Sequence, residues 1–148
     1  MNKYTLDIKH AIFIKKPREQ VWDFTQDYGN RPIWDYTIKD AYVIETHPHK
    51  IIRFKTTGNT TMTFVYKQDE RPYKTSLATS EIHSMIIDSA GGSWTYEVVN
   101  GGTNWTQRNT IQFKQKPLIA FLLPILRWMF NKQICRSMNK AKRILEAN

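Results

Sequence analysis

A chain of 148 residues, 41% apolar and 13% aromatic, is long enough to bury a genuine core and too apolar to be disordered. Its 22 lysines and arginines outnumber 13 acids for a net charge of +9, but no basic cluster is interleaved with aromatics and no nucleic-acid motif is present, so the charge reads as a solvated face and nucleic acid is not expected as a partner. The single Cys135 excludes an internal disulfide and any cysteine-rich metal site.

The elements follow in chain order. The opening MNKYTLDIKH has no apolar signal core, which predicts a cytoplasmic protein, and the whole of 1–148 reads as one domain. Residues 4–14 alternate as a strand, with Ile8, His10, Ile12 and Ile14 on one side. Pro17 starts a short helix whose apolar side holds Val21, Phe24 and Tyr28. Gly29-Asn30-Arg31-Pro32 breaks it, and Ile33-Trp34 make one further turn. Strands are then predicted over 38–46, 50–57, 61–69, 74–83, 92–99 and 103–113. Their separators are His47-Pro48-His49, Gly58-Asn59, Glu70-Arg71-Pro72, Ala90-Gly91 and Asn100-Gly101-Gly102, turns short enough to require antiparallel neighbours.

From Pro117 the chain reads as one long amphipathic helix, bent or restarted at Pro124. Phe130, Ile134, Met138, Ala141 and Leu145 form an apolar stripe at helical spacing, with Lys132, Arg136, Lys140 and Arg143 opposite. Six basic residues and one acid put a net +5 in these last 32 residues. The apolar run 118–130 is shorter than the roughly 20 residues a membrane span needs, so it is expected to face a core, with transient contact at a membrane surface as the lesser reading.

The segment Ile12 to Phe24, IFIKKPREQVWDF, followed by Trp34, by Thr103 after a glycine near the start of the last strand, and by the long terminal helix, resembles the START-like superfamily (SRPBCC), which includes Bet v 1-like proteins and the polyketide cyclase/dehydratase and lipid-transport families. The resemblance spans essentially the whole chain, and its motifs are structural rather than catalytic. It implies an α+β helix-grip fold: a curved seven-stranded antiparallel sheet wrapped around the C-terminal helix, with two short helices after strand 1. It also implies a cavity between sheet and helix that takes a lipid, polyketide or other small hydrophobic ligand. No P-loop or dinucleotide fingerprint is present, so no cofactor is expected.

On the inferred inward faces, Trp34, Met62, Phe64, Tyr66, Trp94, Tyr96, Trp105 and Met129 are the expected cavity wall. Gln107 and Asn109 share the apolar face of the last strand, either as polar contacts to a ligand or bonded to neighbours and buried water. Glu81 and His83, two apart on one strand, are the catalytic candidates: turned inward they would supply the acid and base of a cyclase/dehydratase, turned outward they would be solvated. The strand's pattern leaves that direction open. Asp35 stands at the cavity mouth or in solvent, His10 reads as a core histidine, and His47 and His49 lack a third ligand, so no metal is expected. The oligomeric state is not encoded in any of these features.

Overall fold

The structure, a computed structural model, describes residues 3–148. Seven strands form one antiparallel sheet: β1 (Thr5–Ile14), β2 (Ile38–Glu45), β3 (Ile51–Thr56), β4 (Thr61–Glu70), β5 (Lys74–His83), β6 (Ile87–Val99) and β7 (Gly102–Phe113). The order is β1-β7-β6-β5-β4-β3-β2, so β1 and β2 are the two edges. Helices α1 (Arg18–Thr25) and α2 (Arg31–Trp34) carry the chain from one edge to the other, and α3 (Pro117–Ala147) lies across the concave face. This is the helix-grip architecture the sequence implied.

Local chemistry sets the joints. Pro17 occupies the N-cap of α1, where its missing N–H costs nothing. The turn between β3 and β4 takes its left-handed residue at Asn59 (φ 59°), and the β6–β7 turn takes it at Gly101 (φ 89°). Thr103 is fully buried and its hydroxyl donates to Lys16 O at 2.8 Å, pinning the start of β7 to the end of β1. Helix α3 continues through Pro124, so of the bend or restart expected there the restart does not occur.

One strand boundary differs from expectation. Ala90-Gly91 is not a turn: β6 begins at Ile87, and the chain reverses at Ser84-Met85-Ile86 instead. A Cβ at Gly92 would stand 2.5 Å from Arg108 O on β7, and one at Gly91 would stand 3.0 Å from Leu77 O on β5. The glycine pair therefore marks a close approach of three strands rather than a loop.

The interior is three clusters, not one. Val21, Trp22, Trp34, Trp94, Tyr96, Trp105, Met138, Ala141 and Leu145 fill one end, between α1, α2, β6, β7 and the C-terminal half of α3. Leu6, Ile8, Ile111, Phe113 and Ile119 form a second beneath the N-terminal half of α3. Tyr28, between α1 and α2, forms a third with Ile38, Ile52, Phe54, Phe64 and Tyr66 of β2, β3 and β4. A domain of this size ordinarily has one contiguous core. The clusters are separate because the space between them is empty.

Candidate functional site

That space is a cavity of about 750 Å³, within the range of small-molecule sites. Its origin is legible along the inner face of β6, where Tyr96, Trp94, Gly92 and Ala90 follow one another. Across the sheet, Gly92 sits between Asn109 of β7 and Leu77 of β5, so the row Ile8, Asn109, Gly92, Leu77, Tyr66 has no side chain at its middle. Where β6 presents rings, the interior is solid. Where it presents glycine and alanine, it is hollow.

Phe54, Met62, Phe64, Leu77, Ile87, Ile111, Phe130 and Ile134 make the apolar wall. Exposed Met85, Ile86, Thr57, Gly58, Asn59 and Met129 also border the cavity, which places its mouth between the β5–β6 turn, the β3–β4 turn and α3. Of the sequence-predicted wall, Met62, Phe64, Tyr66, Trp94 and Met129 line this space, together with Gln107 and Asn109. Trp34, Tyr96 and Trp105 do not. Ring centroids lie 5.5 Å apart for Trp34 and Trp105, 5.4 Å for Trp94 and Trp105, and 4.9 Å for Trp22 and Tyr96, so these rings consume the volume by packing on one another.

The polar groups fall into three sets. Asn109 Nδ2 donates to Gln107 Oε1 at 3.1 Å, and Gln107 is 5% exposed. The amides thus bond each other, and both residues line the cavity, with N–H donors and a carbonyl acceptor left over from their mutual bond. His10 is the ladder partner of Gln107 and is half-buried, outside the cavity lining.

A chain of hydroxyls forms the second set. Thr25 Oγ1 donates to Val21 O at 2.8 Å, so Tyr96 must be the donor in its 2.7 Å bond to Thr25. Gln26 Nε2 donates to Tyr96 at 3.0 Å, and Tyr66 donates to Gln26 Oε1 at 2.7 Å. Tyr66 has one proton, so Tyr28 donates to Tyr66. Every phenolic proton is committed in one direction, ending on the α1 backbone. Burial pushes the Tyr28 phenol up to about 12, against the lowering effect of the Arg31 charge, and raises Tyr66 and Tyr96 further. All three are neutral at ordinary pH and act as hydrogen-bonding groups, not bases.

The third set was only partly visible in the sequence. Arg31 and Asp35, one helical turn apart, form a buried ion pair with Nε 2.7 Å from Oδ2. The guanidinium lies 4.5 Å from the Trp94 ring centroid, 4.9 Å from Trp34 and 5.2 Å from Phe54. Asp35 Oδ1 accepts from the Thr37 N–H at 3.0 Å and the Thr37 hydroxyl at 2.7 Å, while Ser137 on α3 accepts the Tyr36 N–H at 2.9 Å. Asp35 is therefore a buried cavity residue rather than a solvated loop acid. Its distinguishing signal is the Arg four residues earlier on the same turn.

Glu81 and His83 face away from all of this. They hydrogen-bond each other at 2.6 Å with side chains 55% and 71% exposed. Ser80 is the cause: Thr63 pairs with Glu81 but Phe64 pairs with Thr79, leaving Ser80 as the extra residue of a β-bulge. The bulge reverses the alternation, so Ile82 follows Leu77 and Thr79 inward, opposite Met62, and Glu81 and His83 turn outward. Among the described residues no three His, Cys, Asp or Glu side chains gather as a metal site would require.

The family model described as "Polyketide cyclase / dehydrase and lipid transport" matches residues 5–146. No curated protein matches the chain by sequence. Solved structures share its fold. The Zhui aromatase/cyclase from Streptomyces sp. R1128 superposes with a TM-score of 0.79 at 14% identity, over 96% of this chain and 94% of that one. A protein of Thermus thermophilus reaches 0.81 at 13% identity, over 96% and 98% of the two chains. The di-domain ARO/CYC protein BexL from the BE-7585A biosynthetic pathway gives 0.79 at 16% identity, over 99% of this chain and 52% of its own, so this chain spans about half its length. At these identities the likeness is one of fold.

Proposed function

The chain belongs to the polyketide cyclase / dehydrase and lipid transport family, and on that premise we propose that it binds one small, largely apolar molecule between the sheet and α3. The observation that carries this reading is the cavity of about 750 Å³ with an apolar wall and a few polar groups. Met62, Phe64, Tyr66, Trp94 and Met129 are the proposed apolar contacts, and Gln107 and Asn109 the proposed polar ones. The amide pair suits a ligand carrying a carbonyl or hydroxyl oxygen, as lipids and polyketides do. Apolar burial supplies most of the affinity, and the amides orient the ligand.

The neutral phenols and the ion-paired Asp35 favour binding over turnover, because neither offers a free base. A cyclase or dehydratase relying on Glu81 and His83 finds no support, since both stand outside the cavity. One thiol without a disulfide partner is consistent with a cytoplasmic location.

Native mass spectrometry of the protein purified from its own host should show a co-purifying organic molecule. Titration with N-phenyl-1-naphthylamine should saturate at one site, and Ala90→Phe, which puts a ring into the hollow, should abolish that saturation. An unliganded mass together with non-saturable probe fluorescence would sink the proposal.

A further inference from the structure

The outward side of α3 changes character along its length. Leu118, Phe121, Ile125, Trp128, Lys132, Arg136, Lys140 and Arg143 follow one another at steps of three or four, so they share one stripe. The first four are 67%, 79%, 61% and 63% exposed, and the rest are cationic. Between Pro117 and Ile134 only Ile119 is buried. Met85, 84% exposed at the cavity mouth, belongs to the β5–β6 turn, which Lys114 and Lys116 hold from the segment between β7 and α3 by bonds to Ser84 O and Met85 O.

Such a run of large apolar side chains in water needs a partner. From Gly102 to Leu145 the sequence contains no acid at all. Arg108 and Lys142 pair with Asp7 and Glu146 from outside that segment, whereas among the described residues Lys132, Arg136, Lys140 and Arg143 on the stripe have no acid within ion-pair distance. A second copy of this chain would bring like charge against like. By length and composition α3 could cross a bilayer, but Met138, Ala141 and Leu145 lock its C-terminal half into the core. We infer that the chain docks on an anionic membrane surface through the N-terminal half of α3 and the Met85 turn, with the cavity mouth against the lipid. Phe121 and Ile125 enter the boundary between headgroups and acyl chains, Trp128 sits at the interface, and Lys132 and Arg136 meet the phosphates. The docking surface stands independently of what the cavity holds, although its position at the mouth suits a ligand exchanged with a bilayer.

Co-sedimentation with phosphatidylcholine vesicles, with and without phosphatidylglycerol, tests this. The protein should pellet with the mixed vesicles at low salt and be released as salt rises. Phe121→Glu with Ile125→Glu should weaken pelleting about tenfold or more, while thermal stability and N-phenyl-1-naphthylamine binding stay unchanged, because neither side chain lines the cavity. Lys132→Ala and Arg136→Ala should each weaken it about fivefold. No pelleting with mixed vesicles at low salt overturns the inference, as does full retention by the double glutamate variant. A dimer in sedimentation velocity that the glutamates dissociate, without vesicle binding, would assign the face to a second copy instead. Saturable probe binding in the absence of vesicles reports on the cavity separately.

Discussion

The two ends of β6 line the same sheet and lie under the same helix, yet one end of the interior is filled and the other is open. At the filled end Tyr96 and Trp94 meet Trp105, Trp34 and Trp22, with Met138, Ala141 and Leu145 of α3 closing over them. At the open end Gly92 and Ala90 present almost nothing, and Phe64, Leu77 and Ile111 border a void. The difference teaches that aromatic content does not by itself make a binding site. Aromatic rings close enough to touch make a core, and a site appears where a strand stops supplying them.

The sharpest way to break this contrast is truncation at each end. Trp105→Ala removes a ring with no exposed surface and contacts on every side, and should cost about 4 kcal/mol in urea unfolding. Phe64→Ala, almost as buried but bordering the void, should cost only about 2 kcal/mol, because fewer packed neighbours lose contact. Equal losses would mean that the cavity is collapsed in solution.

Next in size is the effect of alkali on the hydroxyl chain that joins the two ends. Tyr28 is raised to about 12 from an ordinary 10, so the native state holds a proton that the unfolded chain releases. The associated stability is complete below pH 10 and is lost as pH rises from 10 through 12, about 3 kcal/mol for Tyr28 alone. Tyr66 and Tyr96 act in the same direction. Denaturant midpoints measured from pH 9 upward should fall steeply for wild type and less steeply for Tyr28→Phe. A flat profile would show these phenols to be solvated.

Most of the fold was legible because its signals are local: alternation, Pro17 at a helix start, the Gly58-Asn59 and Asn100-Gly101 turns and a five-residue stripe on α3. The cavity lining was legible where it depended on which residues share a face, as with Met62, Phe64, Gln107 and Asn109. It was lost where it depended on contacts between elements. Nothing in the order of residues says that α2 lays Trp34 on Trp105, or that Arg31 is buried against Asp35 beneath Trp94. Ala90-Gly91 was the most costly misreading. Glycine marks turns and close backbone approaches alike, and reading a turn hid the residues that make the hollow.

The smallest effect is expected at the pair whose side-chain chemistry looked most reactive. Two residues apart on one strand, Glu81 and His83 share a face whatever happens elsewhere, but which face is decided upstream, by the one extra residue at Ser80. Because the bulge puts them in water, their mutual bond competes with solvation at both ends and contributes little. Glu81→Gln and His83→Gln should each change unfolding free energy by less than about 0.5 kcal/mol and leave saturation by N-phenyl-1-naphthylamine untouched, in contrast to Ala90→Phe on the inner face of the neighbouring strand. A loss of probe binding in either variant would mean that β5 pairs without the bulge, with Ile82 outside and the acid and imidazole inside. The cavity would then hold a general acid and base after all. The two variants therefore test the register of β5, and through it whether this fold here serves holding or turnover.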